Sequence, residues 1–289
     1  MTAVTFETTG APKRSWSTLL RRHPGTAFGA SIILLLVCIA IFAPWLGTVD
    51  PQAVSPFDRT KPPSAAFWFG TDMLGRDVYS RVVYGTRVSL IVGFSVAVLS
   101  TVIGVLIGVF SGFIRWLDAI LMRIMDGLMS IPSILLAIAL ITLTRASMWN
   151  VIIAITVVET PRTVRLVRGI VLSLREEAYV EALRVSGASL TRIVIFHILP
   201  NTFAPIVVQA TYICAVAIIA EASLSFIGAG VPPTTPSWGN IMAEGRALWQ
   251  IKPYIIFFPA LFLSITVLAI NMLGDGLRDA LDPRMTRRL

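Results

Sequence analysis

The sequence predicts an all-α membrane protein with about six transmembrane helices and both termini in the cytoplasm. Three observations carry that expectation. The chain of 289 residues is 55% hydrophobic and only 14% charged, with a mean hydropathy of +0.79, whereas a soluble domain is about one quarter charged. Runs of about 20 apolar residues recur, the length that lets a helix satisfy all its backbone groups inside hydrocarbon. Finally, Lys and Arg favour one set of loops over the other by two to one.

The elements follow in order. Residues 1–25 form a basic cytoplasmic segment, and residues 26–46 (TAFGASIILLLVCIAIFAPWL) form the first span. That run is too long for a signal-peptide core and no small-x-small site follows it, so it is expected to stay as an anchor. Residues 47–87 make an extracytoplasmic loop: Asp50, Pro51, Pro56, Pro62 and Pro63 mark coil, and GTDMLGRDVYSRVVYGTRVSL after them reads as a short surface helix. The core, 88–274, holds five more spans at 88–110, 124–144, 147–169, 202–220 and 254–274. The span at 147–169 is apolar only to about Val158, where Glu159, Pro161 and Arg162 interrupt it. Pro132, Pro205 and Pro259 are candidate kinks or static packing features. Residues 222–252 mix Gly, Pro and aromatics like a loop folded back at the membrane surface, with Trp238 and Trp249 suited to the interface. A cytoplasmic tail, 275–289, closes the chain.

Orientation rests on loop charge. With the N-terminus inside, the cytoplasmic set includes Lys13, Arg14, Arg21 and Arg22, then Arg162, Arg165, Arg168, Arg175, Arg184 and Arg192, and the arginines of the tail. Basic residues outside are fewer, and Asp50, Asp58, Asp72 and Asp77 offset several of them. The net charge of +8 is therefore read against the positive-inside rule rather than as a nucleic-acid footprint.

Several chemistries find no support in the pattern. Cys38 and Cys214 lie in separate apolar runs, and His23 and His197 stand alone, so neither a metal site nor a disulfide framework is expected. An intramembrane enzyme would need convergent His, Asp, Glu or Ser groups at one depth, and no catalytic set is evident. A secondary transporter would show inverted repeats and buried charge in broken spans. No GxxxxGK[ST] loop occurs, so ATP phosphates have no cradle of that kind here. The strongest pathway candidate is Glu221, at the outer end of the fifth span, where a gating role competes with interfacial capping. Asp275, between Gly274 and Gly276, reads as a turn-ordering residue.

The stretch EALRVSGASLTRIVIFHILPN, residues 181–201, falls in the largest cytoplasmic loop. REEAYVEALRVSG (175–187) reads as a helix with Ala178, Val180, Ala182, Leu183 and Val185 on an apolar stripe. Gly187 is placed to end it, and Ser189 and Thr191 to cap a second helix, Leu190 to Leu199, that runs into Pro200 and Asn201. A helix, a tight turn and a rigid return would present a surface that a partner could grip.

This stretch resembles the EAA motif of permeases in binding-protein-dependent ABC importers: Glu-Ala-Ala, three residues, Gly, nine residues, then Ile-x-Leu-Pro. Glu181, Ala182, Gly187, Leu199 and Pro200 fall on the pattern, while Leu183 replaces the second Ala and His197 the Ile. FGTDMLGRDVYSRVVYGTRVSL, the IPSILLAIAL core, EASLSFIGAGVPPTTPSWGNIMAEG and GDGLRDALDPR extend the resemblance to C-type permeases of dipeptide and oligopeptide importers, a group that also includes nickel, glutathione and opine carriers. The resemblance implies a type I ABC importer permease fold in the bacterial inner membrane. It implies a second, B-type permease, two ATP-binding cassette subunits that hold ATP and Mg, and an extracytoplasmic substrate-binding protein as partners. It further implies that Glu177, Glu181, Ala182, Leu183, Val185, Ser186, Gly187 and Ala188 contact the ATPase, with Leu199 and Pro200 making the return.

Overall fold

The structure is a computed structural model that describes residues 24–281 except Arg145. Lys13, Arg14, Arg21, Arg22, His23, Arg284, Arg287 and Arg288, together with Arg145, lie outside the described residues. Among the described residues the chain is helical, and β structure is limited to one isolated bridge between Thr71 and Asp77.

Helix α1 spans Pro24–Phe42 and continues into a 3-10 turn, Ala43–Trp45. Helix α2, Val78–Phe113, is 36 residues long, or about 54 Å at 1.5 Å per residue. It therefore absorbs the segment expected to be a separate surface helix. The reason is local: Asp77 caps the helix by accepting from the Ser80 amide at 2.8 Å. The charges that looked like a boundary are also paired. Arg87 donates to the carbonyls of Ala40 and Ile41 at the end of α1, and Arg81 is buried in an ion network described below.

The third expected span is broken. Helix α3, Arg115–Ser130, and helix α4, Ser133–Thr142, meet at 95° around Ile131 and Pro132. Pro132 has no N–H to continue a ladder, and the residue before it is pushed to extended backbone, as the φ of −94° and ψ of 131° at Ile131 record. Helix α5, Met148–Leu174, runs unbroken through Glu159, Pro161 and Arg162. It can do so because α2, α3, α4 and α8 pack against it and bury Glu159 and Pro161, while Arg162 stays on its exposed face.

Helix α6 spans Ala178–Val185, and α7, Leu190–Ile193, passes through a π-turn, Val194–Ile198, into α8, Leu199–Ile227. A short helix α9, Trp238–Gly245, and a 3-10 turn precede α10, Tyr254–Leu281. The helices at Pro205 and Pro259 continue without interruption. Four helical stretches are long and apolar enough to cross a membrane, and five if the bent α3–α4 pair counts as one.

We call the end carrying α6 lower and the end carrying α9 upper. Helices α2 and α5 run parallel in tight contact. A Cβ on Gly104, Gly108 or Gly112 would stand 2.5, 2.7 and 2.4 Å from the side chains of Thr163, Val167 and Val171. This four-residue repeat of glycines is the small-xxx-small arrangement by which apolar helices approach closely. Since α2 and α5 point the same way, the intervening α3–α4 pair must carry the chain back to the upper end. Away from α5, the outer face of α2 shows Ile91, Phe94, Val98, Val102, Leu106 and Phe110, an exposed apolar stripe suited to lipid.

Candidate functional site

The lower turn is built from local rules. Helix α6 ends in a glycine-terminated cap: the Gly187 amide donates to the Arg184 carbonyl at 3.0 Å and the Ala188 amide to the Leu183 carbonyl at 3.0 Å. Gly187 has φ +81°, the left-handed conformation that L side chains resist. Ser189 then caps α7, its Oγ accepting from the Arg192 amide at 3.4 Å. Above the turn, Val180, Ile193 and Ile198 pack with Val167 and Val171 of α5, and Val105, Val109, Leu183, Ala188 and Ile206 join them. One side of the turn is thereby fixed to α2, α5 and α8. The other side is open: Glu177, Glu181, Ala182, Ser186 and Gly187 are exposed, and Val185 is 86% exposed.

The return at 194–201 explains the motif's tail in physical terms. Pro200 carries no N–H and its ring would collide with the Phe196 carbonyl in a regular helix. The backbone responds with the π-turn, in which the Leu199 amide donates to the Val194 carbonyl. Asn201 then donates from Nδ2 to the His197 carbonyl at 2.6 Å, and Thr202 from its hydroxyl to the Leu199 carbonyl at 2.8 Å. His197 thus serves through its backbone; its ring is half-buried.

At the upper end, Glu221 is completely buried. Its Oε1 accepts from the Ser225 hydroxyl at 2.7 Å, its Oε2 from Ser89 of α2 at 3.5 Å, and the Ser237 hydroxyl is also a partner. Ser225 in turn accepts from the Val231 amide at 3.2 Å. Ser237 caps α9, and Asn240 donates from Nδ2 to the carbonyls of Val231, Pro232 and Thr235. The carboxylate therefore holds the base of the 228–237 segment. Trp238 departs from expectation: instead of lying at an interface it is fully buried, donating from Nε1 to the Val82 carbonyl at 3.1 Å. Its neighbours Gly239, Asn240 and Ile241 are also buried, so α9 turns into the protein rather than resting on its surface. Trp249 is 59% exposed.

Four sets of paired charges escaped the sequence reading. Asp72 accepts from Arg76 Nε at 2.7 Å and from Arg81 Nη1 at 2.6 Å, and both arginines bond Glu244 of α9. This network ties the loop before α2 to the 222–252 segment, and its residues are far apart in the chain. Lower down, Arg168 of α5 forks onto both oxygens of Asp118 in α3, and Arg165 donates to Asp126 at 2.5 Å. Arg162 lies 3.5 Å from Glu159 and donates to the Tyr212 hydroxyl at 3.4 Å. The three-residue spacing of Arg162, Arg165 and Arg168 was a readable signal of one helical face. Asp275 is exposed near the lower end of α10. Cys38 and Cys214 are free, and among the described residues no group of three or more His, Cys, Asp or Glu could hold a metal.

Residues 88–287 match the family model described as the binding-protein-dependent transport system inner membrane component. Residues 14–63 match the N-terminal TM domain of oligopeptide transport permease C. The chain belongs to this permease family. It is 52% identical over its full length to a probable peptide ABC transporter permease of Sinorhizobium fredii, covering 100% of both chains. It is 42% identical to a dipeptide transport system permease of Alkalihalophilus pseudofirmus, across 95% of this chain and 91% of that one. A glutathione transport system permease of Pectobacterium atrosepticum is also 42% identical, over 93% and 90% of the two chains. Among solved structures, an inward-facing MetNI methionine ABC transporter chain superposes with a TM-score of 0.57 at 24% identity, covering 70% of this chain and 96% of the other. That likeness is one of fold. Membership in the permease family accounts for a multi-pass inner-membrane protein with several apolar helices, and the exposed turn lies within the matched residues.

Proposed function

We propose that this permease is one half of the translocation path of an ATP-driven peptide importer, and that its lower turn is the contact through which a cytoplasmic ATPase moves it. The observation that carries the reading is the lower turn itself. It is a short helix closed by a glycine cap, anchored on one side to α2, α5 and α8 and open on the other. Glu177, Glu181, Ala182, Val185, Ser186 and Gly187 would face the ATPase, with Leu183 and Ala188 as the anchoring side and Leu199 and Pro200 as the return.

The rest of the assembly follows from the family. Six crossings are counted when the bent α3–α4 pair and the charged α5 each make one, and both termini then fall on the cytoplasmic side. A second, B-type permease would complete the path, two ATP-binding cassette subunits would bind ATP and Mg, and an extracytoplasmic binding protein would deliver cargo. The permease has no phosphate-binding loop in its sequence and so would be a transport subunit without its own ATPase site. Free energy from ATP would act as a difference in contact between two states of the spans. Di- and oligopeptides are favoured as cargo because the relative matched at 52% over both full chains is a probable peptide permease, against 42% for the glutathione permease; nickel chelates, haem, glutathione and opines are the alternatives. Glu221, buried in a serine cluster, is assigned to hold the upper segment against α2 and α8 and would reach a gate only by moving with that segment.

The test is reconstitution. Tagged permease extracted in mild detergent should bring down an ATPase subunit, and proteoliposomes with the whole complex should take up a dipeptide only with ATP inside the ATPase-facing compartment. Uptake that persists without ATP on a proton gradient would overturn the reading in favour of a secondary transporter.

A further inference from the structure

Resting on that importer reading, we propose that Arg165 and Asp126 line the translocation path and receive the two charged termini of a peptide, the guanidinium taking the carboxylate and the carboxylate taking the ammonium. The contrast between two helices led to this assignment. The exposed stripe of α2 is wholly apolar, as a lipid-facing surface should be. The exposed face of α5 instead carries Arg162, Arg165 and Gly169, and the adjoining face of α3 carries Asp126, Gly127 and Ser130. A Cβ on Gly127 or Gly169 would meet nothing within 4 Å, so open space adjoins both faces. Charged groups within a span turn away from lipid toward protein or water.

The pairs on this face differ in how fully they are used. Arg168 and Asp118 are bidentate and 31% and 20% exposed, which is what a strut between two helices requires. Arg165 and Asp126 share a single bond of 2.5 Å with exposures of 46% and 58%. The bond uses one guanidinium nitrogen of Arg165 and one oxygen of Asp126, whose charge also acts on Arg168. Arg165 sits nine residues before the end of α5 at Leu174, about 13 Å from the lower end. A cavity of 610 Å³ opens between α5, α8 and α10, with Leu166, the next residue in the chain after Arg165, and Gln209 and Arg278 on its wall. An exposed ion pair held by a single bond can exchange that one internal bond for two bonds to a zwitterion. A peptide's side chains vary but its termini do not, so a path that reads only the termini suits a varied cargo.

The experiment uses the reconstituted complex of this permease with its partner permease, ATPase subunits and saturating binding protein. Uptake is compared for a dipeptide with free termini and the same dipeptide amidated at its C-terminus. R165Q should lower uptake of the free dipeptide about tenfold, the loss of one charge-assisted contact, and leave the amidated one within about twofold. The swap R165D/D126R, which rebuilds the internal pair with its polarity reversed, should not restore the free dipeptide. Equal losses for both peptides, or recovery by the swap, would show a strut between α3 and α5 and overturn the assignment. The swap decides alone where wild type does not carry the amidated form. A wild-type complex that takes up no dipeptide refutes the peptide reading itself, whereas failure of the variants alone leaves it standing. Variant yield in complex with the partner permease serves as the folding control.

Discussion

Replacing Gly187 isolates the geometry of the lower turn from its contacts. The residue has φ +81° and a Cβ there would meet nothing within 4 Å, so any penalty is conformational rather than a clash. Alanine in the left-handed region costs about 1–2 kcal/mol, and a β-branched residue costs more because its second γ-atom crowds the same carbonyl. Asn is tolerated there and should cost least. Since 1–2 kcal/mol is a factor of about 5–30 in a two-state population, G187A should thin the closed cap several-fold and Gly187→Val should largely open it. The spans are untouched by these changes, so membrane insertion and yield should hold. Transport and ATPase co-purification should fall in the order Gly, Asn, Ala, Val, measured as dipeptide uptake in proteoliposomes and as ATPase recovered per permease. A Gly187→Val complex with wild-type uptake and wild-type ATPase recovery would refute the coupling assignment.

Other residues give separate tests. Gly108→Leu forces a side chain into a site where even a Cβ would lie 2.7 Å from Val167 and 2.9 Å from the Val164 carbonyl; overpacking of about 1–3 kcal/mol should appear as a lower melting temperature in detergent, and an unchanged one would dismiss the tight seam. Arg81→Gln strips a 1% exposed cation from Asp72 and Glu244. Breaking a buried pair costs about 3–5 kcal/mol, so protease should cut the 222–252 segment sooner, and equal cutting rates would count against the network. Glu221→Gln keeps a carbonyl acceptor for one serine hydroxyl and turns an NH2 donor toward the other, whose oxygen can accept once its hydroxyl rotates, so it should retain most of the thermal stability, while Glu221→Leu leaves those hydroxyls unpaired at about 1–3 kcal/mol each; equal stability of the two variants would argue against the serine cluster.

Much of the fold could be read from the sequence because hydrocarbon imposes long apolar runs and because glycine and serine at 187 and 189 obey local capping rules. What could not be read shares one cause. Arg81 and Arg87 looked like the edge of a loop, yet one is neutralised by Asp72 and Glu244 and the other donates to carbonyls at the end of α1. Both sets of partners are distant in sequence, so the helix extends where charge alone argued that it should stop. Trp238 was misplaced for the same reason: its pocket beside Gly85 and the Val82 carbonyl exists only once α9 has folded back. At Pro132 the local signal was sufficient for a kink but not for its size, 95°, which depends on where α3 and α4 find partners.

Pro200 allows the coupling idea to be tested without weakening the protein. A π-turn inserts one extra residue into a helical turn, and one residue of helix corresponds to a rotation of about 100°. The π-turn at 194–198 therefore fixes how the lower turn is oriented about the axis of the rod that continues to Ile227. Pro200→Ala supplies an N–H for the Phe196 carbonyl and removes the ring that displaces it, so the turn can relax to regular helix. Thermal stability should then hold or rise, since alanine replaces the least helical residue. Transport should fall, because Glu181, Val185 and Gly187 would be swung away from their facing surface while remaining well folded. A variant that is equally or more stable yet loses uptake and ATPase recovery separates orientation from stability. Full uptake in Pro200→Ala would mean that the rotation set by the π-turn carries no coupling.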